Sequence, residues 1–205
     1  MLLYAATSNP GKLREFSTSA STHNIDVLPL PRLSEIPEPV EDADTFMGNA
    51  EIKARAYSLT LPDALVFADD SGLSVDILDG RPGVRSARFA DDGDYAIGLG
   101  SKDERNNSRL LMLMPDRGAR TAHFLCALAL ARDGEILLRA EGQVTGELLH
   151  RPHGTDGFGY DPLFLIPSLN LTFAELPAEQ KWELSHRGRA FRALLDQLPS
   201  LNLSS

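Results

Sequence analysis

Apolar residues along the chain fall into short continuous runs and into helical stripes, which together predict an α/β protein. The runs 2–6 and 65–68 have the length and continuity of buried strands. A longer run, 122–131, is followed by the turn Asp133-Gly134 and by a second run at 136–144, which predicts an antiparallel hairpin. Single strands between helices, combined with a hairpin, favour a mixed sheet over a purely parallel one.

Amphipathic segments between these runs predict four helices. Asn9 can cap the first one, with Pro10 at its first helical position. Ser101 and Glu104 have the spacing of a capping box. The remaining expectations are a helix that begins at Asp44 or Thr45, a last helix that carries Ala190 and stops at Pro199, a Pro- and acid-rich loop over about 30–44, and irregular structure from Gly72 to Gly100.

Composition limits the classes of partner. With 205 residues and 42% hydrophobic content, the chain can bury one sizeable core, as one domain or as two closely joined lobes. A net charge of -9 argues against a nucleic-acid-binding surface, because neutralising phosphates takes clustered Lys and Arg. A small anionic ligand remains compatible if a local basic pocket or a metal ion carries the opposite charge.

Cellular location is inferred from the apolar runs and the cysteine count. Each run falls far short of the roughly 20 apolar residues of a membrane helix, so we expect no membrane partner. The apolar start lacks a basic segment, so no signal peptide is expected. Cys126, the only cysteine, cannot form an intrachain disulfide, which fits a reducing compartment. We therefore expect a cytoplasmic protein.

Two adjacent carboxylates, Asp69 and Asp70, follow the run 65–68, so we expect them at the C-terminal end of a strand. Neighbouring strand residues point to different sides, and one of the two should face a cleft. Such a carboxylate can bind Mg²⁺ or orient or deprotonate a water molecule, although Asp-Ser-Gly is also common turn chemistry. Glu41 is a candidate second metal ligand, with Glu38, Asp42 and Asp44 as competitors.

The turn from Ser8 to Lys12 can hold a phosphate through backbone N–H groups, the helix dipole and the Lys12 ammonium. It lacks the second glycine and the hydroxyl residue of a Walker loop, and an ordinary capped helix is the alternative. Asn49 and Lys53 share a face of the second helix, which would contact phosphate only if it lined the same cleft.

Two later segments carry further candidates. The loop 154–162 has three glycines, and Phe158 or Tyr160 can stack on a base, unless the loop simply packs its own aromatics. Lys181 and the segment 185–188 place two cations and an imidazole just before the last helix, where cations oppose the helix dipole and an anion is expected. The histidines lack metal-ligand spacing, so zinc is not expected.

Taken in order, these segments resemble the inosine triphosphate pyrophosphatase family, also called the Ham1 family. The resemblance runs from Thr7 to about Ala190. Its motifs are Thr7-Ser8-Asn9-Pro10-Gly11-Lys12, Thr45-Phe46 with Asn49-Ala50 and Lys53-Ala54, Ala68-Asp69-Asp70-Ser71-Gly72-Leu73, Pro82-Gly83 with Ser86-Ala87-Arg88, Gly157-Phe158-Gly159-Tyr160-Asp161-Pro162, and Ser185-His186-Arg187-Gly188. Ser8 and Asp156 stand where many members have Gly.

The resemblance implies an Mg²⁺-dependent enzyme that hydrolyses ITP, dITP and XTP to the nucleoside monophosphate and pyrophosphate, removing deaminated purines from the nucleotide pool. It also implies a homodimer, and a single domain over 1–205 with a long mixed β-sheet flanked by helices and two lobes with the active-site cleft between them. Two alternatives remain: a pyrophosphatase with another or broader nucleotide preference, and a nucleotide sensor without turnover, which the intact carboxylate pair and cation set disfavour.

Carried over by position, Asp70 would be the catalytic proton acceptor and a metal ligand, with Glu41 and Asp69 as further metal ligands. The turn from Thr7 to Lys12, together with Lys53, would hold the triphosphate, and the later segments would form the base and phosphate pocket. The implied substrate-binding residues are Thr7, Ser8, Asn9, Pro10, Gly11, Lys12, Lys53, Ser71, Phe158, Gly159, Tyr160, Asp161, Lys181, His186 and Arg187.

Overall fold

The computed structural model describes residues 1–21, 23–93 and 100–201. Within them the strands are β1 (Leu2–Ala5), β2 (Asp26–Pro29), β3 (Val66–Val75), β4 (Thr121–Arg132), β5 (Glu135–Leu148), β6 (Phe164–Ile166) and β7 (Leu171–Thr172). They form one seven-stranded sheet in the order β2-β1-β3-β4-β5-β6-β7. β1 is parallel to β2 and β3, whereas β6 is antiparallel to β5 and β7. The predicted α/β class with a mixed sheet is confirmed.

Helices alternate with these strands. They are α1 (Pro10–Ser21), α2 (Phe46–Ser58), α3 (Lys102–Leu113), α4 (Ala178–Leu184) and α5 (His186–Gln197), with short 3₁₀ turns at Leu33–Glu35, Asp76–Leu78, Gly83–Arg88, Asp91–Gly93 and Leu198–Ser200. The stretch expected to be irregular thus contains three of these turns, and its residues 94–99 lie outside the described part. None of the helices in the described ranges is long and apolar enough to cross a membrane.

Local signals for helix starts are confirmed. The Asn9 carboxamide oxygen accepts hydrogen bonds from the N–H groups of Gly11 and Lys12, at 2.8 and 3.2 Å. Thr45, rather than Asp44, caps α2. Ser101 forms the predicted capping box with Glu104 at the start of α3. Each cap satisfies N–H donors that an isolated helix start leaves without partners.

The prediction that β3 ends at the carboxylate pair is wrong. The strand runs through Asp69 and Asp70 to Val75, because Leu73 and Val75 are fully buried and continue the alternation of a strand. Gly72 allows this continuation, since a Cβ there would lie 2.3 Å from the Ser86 hydroxyl oxygen. The carboxylates are therefore in the middle of a sheet strand and not in a solvated turn.

Four short elements were not predicted: β2, β6, β7 and α4. They have four, three, two and seven residues, too few for hydrophobic periodicity to identify them. The prediction that Lys181, His186 and Arg187 lie just before the last helix is wrong for His186 and Arg187. Lys181 lies within α4, and the other two lie in the first turn of α5.

The chain divides into two compact units. Unit 1 comprises Met1–Asp70, Cys126–Gly142 and Ser185–Ser205, and unit 2 comprises Ser71–Leu125 and Gln143–Leu184. In unit 1 the rings of Phe16, Phe67 and Phe191 contact one another at centroid distances of 5.0 to 5.6 Å. In unit 2 the corresponding rings are those of Phe124, Phe164 and Phe173, at 4.4 to 5.8 Å. Burying such a side chain contributes about 1.5–3 kcal/mol.

Candidate functional site

In unit 1, the first carboxylate of the pair is held by α1. The Asp69 carboxylate lies 2.7 Å from the Lys12 ammonium, and these side chains are only 3% and 19% exposed. Lys12 reaches it from the first turn of α1, directly after the turn that Asn9 caps. Lys12 therefore neutralises a carboxylate that would otherwise be buried in β3 with an uncompensated charge.

The second carboxylate contacts α2 instead. One oxygen of Asp70 accepts a hydrogen bond from the Asn49 amide at 3.1 Å, and the other lies 3.7 Å from the Lys53 ammonium. Lys53 also donates to Glu41 at 2.9 Å. The face of α2 that carries Asn49 and Lys53 therefore lies against Asp70. The Lys53 ammonium contacts the carboxylates of both Asp70 and Glu41.

These environments shift the pKa values of the two neighbours in opposite directions. Burial raises the pKa of Asp69, but the charges of Lys12, Lys53 and Arg187 outweigh burial and lower it below the usual value. Burial also raises the pKa of Asp70, and there Lys53 and Asn49 do not compensate, so that pKa stays above the usual value. Asp69 is thus the permanent anion, and Asp70 is the stronger base.

Lys53 is firmly protonated. Burial alone would lower the pKa of this ammonium, but the charges of Asp69, Asp70 and Glu41 outweigh burial and raise it. Its exposed fraction is 13%, so it is a largely desolvated cation beside Asp70. Such a group stabilises added negative charge more strongly than an exposed lysine would.

The turn before α1 uses its own polar groups. Besides the two N–H groups that Asn9 takes, the Thr7 hydroxyl accepts from the Asn9 N–H at 3.2 Å. Ser8 and Pro10 are exposed. Three of the backbone donors that could hold a phosphate, the N–H groups of Asn9, Gly11 and Lys12, therefore already bind a side chain, and the capped-helix alternative describes this part of the turn.

The first turn of α5 carries two buried polar side chains of unit 1. Ser185 caps the helix by accepting from the Gly188 N–H at 3.0 Å. Arg187 donates from Nε to Glu15 at 2.7 Å, and its Nη1 lies 3.1 Å from Nε2 of His186. Glu15 was not predicted, although its position one turn after Lys12 on α1 was the available signal.

In unit 2, a buried ion pair organises the glycine-rich loop. Asp161 accepts from the Lys181 ammonium at 2.7 Å and from the Phe158 N–H at 2.9 Å. The ammonium lies 5.0 Å from the centroid of the Phe158 ring, within cation–π range. The predicted residues Phe158, Asp161 and Lys181 thus form one cluster.

Tyr160 differs from Phe158. It is 4% exposed, packs in the core of unit 2 and donates its hydroxyl proton to the Ser86 carbonyl at 2.8 Å. Burial and then the Asp103 charge raise the pKa of Tyr160. The alternative of a loop packing its own aromatics therefore describes Tyr160, and the half-buried Phe158 is the better candidate for stacking on a base.

In unit 2, Ser71 lies in β3 itself, and the segment 82–88 packs against this strand. Ser71 is half-buried in the strand. The Ser86 hydroxyl accepts from the Leu73 N–H at 2.8 Å and donates to the Gly83 carbonyl at 2.6 Å. Ser86 therefore fixes β3 at Leu73, just beyond the carboxylate pair.

The predicted metal ligands can be tested against Mg²⁺ chemistry. Within the described ranges, no three His, Cys, Asp or Glu side chains group as ligands of a metal ion. Mg²⁺, however, usually takes only one or two carboxylates and fills its other positions with water and substrate phosphates. Asp70 and Glu41, which flank one ammonium, supply two such carboxylates, whereas Asp69 is nearly buried against Lys12. The donor set fits Mg²⁺, and its identity as the metal site stays a prediction.

The predicted site residues divide between the units. Ser71, Phe158, Gly159, Tyr160, Asp161 and Lys181 belong to unit 2, and Thr7, Ser8, Asn9, Pro10, Gly11, Lys12, Glu41, Lys53, Asp69, Asp70, His186 and Arg187 belong to unit 1.

Comparison with known proteins gives consistent matches over almost the whole chain. The model of the Ham1 family matches residues 3–197. A protein of Acidobacterium capsulatum named dITP/XTP pyrophosphatase is 51% identical over 97% of this chain and 98% of its own length. A protein of the same name from Nostoc is 42% identical over 100% of this chain and 97% of its own length.

Solved structures match equally completely. A Ham1 protein from Coxiella burnetii has a TM-score of 0.83 and 34% identity, covering 98% of this chain and 99% of its own. The Ham1 protein of Staphylococcus aureus has a TM-score of 0.81 and 35% identity over the same shares.

Proposed function

Because the chain belongs to the Ham1 family, we propose that it hydrolyses dITP, ITP and XTP to the nucleoside monophosphate and pyrophosphate. The observation that carries the proposal is the pair Asp69 and Asp70, neighbours in β3 that are held differently: Asp69 pairs with Lys12, whereas Asp70 contacts Asn49 and Lys53 and has a pKa shifted in the opposite direction. Such a divergence is typical of sites in which one carboxylate holds charge and another moves a proton. In the cell this activity would remove deaminated purines from the nucleotide pool.

Asp70 acts as the proton acceptor. Water forms a new bond to phosphorus, the bridge between the α- and β-phosphates breaks, and pyrophosphate leaves. An oxygen of the Asp70 carboxylate takes a proton from the attacking water as the new bond forms. Asn49 and Lys53 fix the orientation of the carboxylate through the contacts on its two oxygens.

The cations of unit 1 bind the triphosphate. Phosphoryl transfer depends mostly on positioning and on charge neutralisation. Lys12 and Lys53 supply positive charge beside the carboxylates, and the turn from Thr7 to Lys12 carries the start of α1. Arg187 adds a third charge that already acts on Asp69. Asp70 and Glu41 would hold Mg²⁺, which when bound neutralises part of the phosphate charge. Asp69, the third ligand that the family resemblance implies, lies next to Asp70 in sequence but is paired with Lys12.

Base selectivity follows from a donor-only side chain. The ammonium of Lys181 can donate hydrogen bonds but cannot accept them. It matches the 6-oxo group of hypoxanthine and xanthine and would meet the 6-amino group of adenine donor to donor. We propose that Phe158 stacks on the purine, and that guanine is rejected at its 2-position.

Other features stay predictions carried by the family resemblance. They are the homodimer, the cytoplasmic location, the single domain over 1–205 and the cleft between two lobes.

A substrate panel tests the proposal. Pyrophosphate release with Mg²⁺ should give a kcat/KM for dITP and XTP about 100-fold or more above that for dATP and dGTP. Chelation of Mg²⁺ should abolish release. Comparable values for all four nucleotides would favour a broader hydrolase, and binding without release would favour a sensor. Either result would overturn the proposal.

A further inference from the structure

Helix α3 holds both backbone groups of one residue in the glycine-rich loop. The Gly159 N–H donates to Asp103 at 2.7 Å, and the Asn107 amide donates to the Gly159 carbonyl at 2.9 Å. Asp103 and Asn107 are four residues apart and so lie on one face of α3. All three residues belong to unit 2.

Packing on the Cβ side does not fix the backbone of Gly159. Its φ is +63°, in the left-handed region that favours glycine. Apart from its two chain neighbours, nothing lies within 4 Å of a Cβ built at this position. The two hydrogen bonds from α3 hold Gly159 directly, and those between Phe158 and Asp161 hold the residues beside it.

The buried amide of Asn107 is otherwise hard to explain. The residue is 7% exposed, and among the described residues its Oδ1 has no hydrogen-bond partner. A buried acceptor without a partner destabilises a fold, and an apolar side chain there would avoid that cost. The donor half of the amide, which binds Gly159, accounts for an asparagine at this position.

Gly159 stands between the two groups that we assign to the base. The residue before it carries the Phe158 ring, and Asp161, two residues later, binds Lys181 and the Phe158 N–H. A shift of the Gly159 peptide would therefore move the stacking ring relative to the ion pair.

We propose that Asp103 and Asn107 are positioning residues that set base recognition by holding Gly159, an inference that rests on the proposed function. The two side chains act through the loop and not on the reacting phosphorus. Their loss should raise KM and reduce discrimination between dITP and dATP while leaving the handling of phosphate unchanged.

Four variants test the proposal. Asp103→Ala and Asn107→Leu each remove one hydrogen bond to Gly159, and Asn107→Leu also removes the unsatisfied oxygen, so it should fold. Each should raise KM for dITP about tenfold and lower the ratio of kcat/KM for dITP to that for dATP by about the same factor. Asp103→Asn keeps an acceptor for the Gly159 N–H and should restore both values to near wild type.

The control is Glu104→Ala. Glu104 lies in the same first turn of α3, carries the same charge and belongs to the capping box, but it binds the backbone of Ser101 rather than the loop. This variant weakens the helix start and should leave KM and selectivity unchanged. The inhibition constant of pyrophosphate, which reports on phosphate binding, should stay at the wild-type value in every variant.

Hydrogen exchange separates the two parts of the inference. The Gly159 amide should exchange faster in Asp103→Ala than in wild type or in Glu104→Ala. If the Gly159 amide exchanges faster in Asp103→Ala but KM and selectivity stay at wild-type values, the role in base recognition is overturned. If the exchange of this amide is unchanged, the inference that Asp103 holds Gly159 is overturned. A wild-type protein without dITP turnover would instead overturn the proposed function, and this inference with it.

Discussion

At the scale of single residues, burial and charge give Asp69 and Asp70 different chemistry. Both are in β3, yet Asp69 pairs with Lys12, and Asp70 contacts Asn49 and Lys53. The nearby cations outweigh burial only at Asp69. A proton acceptor must bind a proton transiently, so only Asp70 has a pKa shifted in the useful direction.

Asp70→Asn should abolish turnover. An amide cannot accept the proton of the attacking water, and general-base catalysis contributes about 10²- to 10⁴-fold. We expect kcat for dITP to fall by about that factor, measured as pyrophosphate release. Fold and nucleotide affinity should be largely retained, because the side chains are similar in size.

The matched control is Asp196→Asn, which removes one carboxylate from an exposed position on α5. It should have wild-type kcat. Wild-type turnover in Asp70→Asn would contradict the catalytic assignment.

Cys126 should be unreactive in the folded protein. Burial raises the pKa of its thiol, and the charge of Asp69 adds to this shift, so thiolate is scarce at neutral pH. An aromatic disulfide reagent at pH 8 should label no thiol in native buffer and one thiol per chain in guanidinium, since the sequence has a single cysteine. Rapid labelling of the native protein would contradict the buried position.

At the scale of elements, the contact between β5 and α5 positions His186 and Arg187. A Cβ at Gly142 would lie 2.2 Å from the His186 carbonyl oxygen and 2.4 Å from the Ala190 nitrogen. Both are backbone atoms that cannot rotate away. The absence of a side chain at Gly142 therefore lets the first turn of α5 lie directly on the strand.

Gly142→Ala should destabilise the fold by about 1–3 kcal/mol, because overpacking forces the backbone to shift. The same shift moves His186 and Arg187, so KM for dITP should rise as well. Denaturant unfolding measures the first effect and steady-state kinetics the second.

Glu141→Ala, at the exposed neighbouring position of β5, is the control and should leave stability within about 0.5 kcal/mol of wild type. Equal stabilities of wild type and Gly142→Ala would show that the strand and helix can separate without penalty.

Sequence patterns identified elements where the determining interactions are local. The caps at Asn9, Thr45 and Ser101 bind N–H groups within three residues, and the hairpin turn at Asp133-Gly134 joins β4 directly to β5. The continuation of β3 beyond Asp70 was missed because its support comes from Ser86, 13 residues after Leu73. The sequence Asp-Ser-Gly, which is common in turns, favoured a strand that ends at Asp70.

At the scale of the whole molecule, substrate should stabilise the folded chain. A ligand that binds only the native state adds about 2.7 kcal/mol to the free energy of unfolding at 100 times its Kd. The Asp70→Asn variant with Mg²⁺ and dITP allows this measurement with slowed turnover, and its Tm should rise. The same concentration of dATP should produce a much smaller rise, and equal rises would contradict selective base recognition.

The sequence by itself determined the family, the α/β class and the local caps, because these follow from ordered motifs, hydrophobic periodicity and contacts between near neighbours. Only the tertiary structure decided which cation meets which carboxylate. Lys12 and Asp69 are 57 residues apart in sequence. Their pairing, the opposite pKa shifts of Asp69 and Asp70, and the hydrogen bond from the Tyr160 hydroxyl to the Ser86 carbonyl all depend on burial. Burial is set by packing between residues that are far apart in the sequence, and it cannot be predicted from a local sequence pattern.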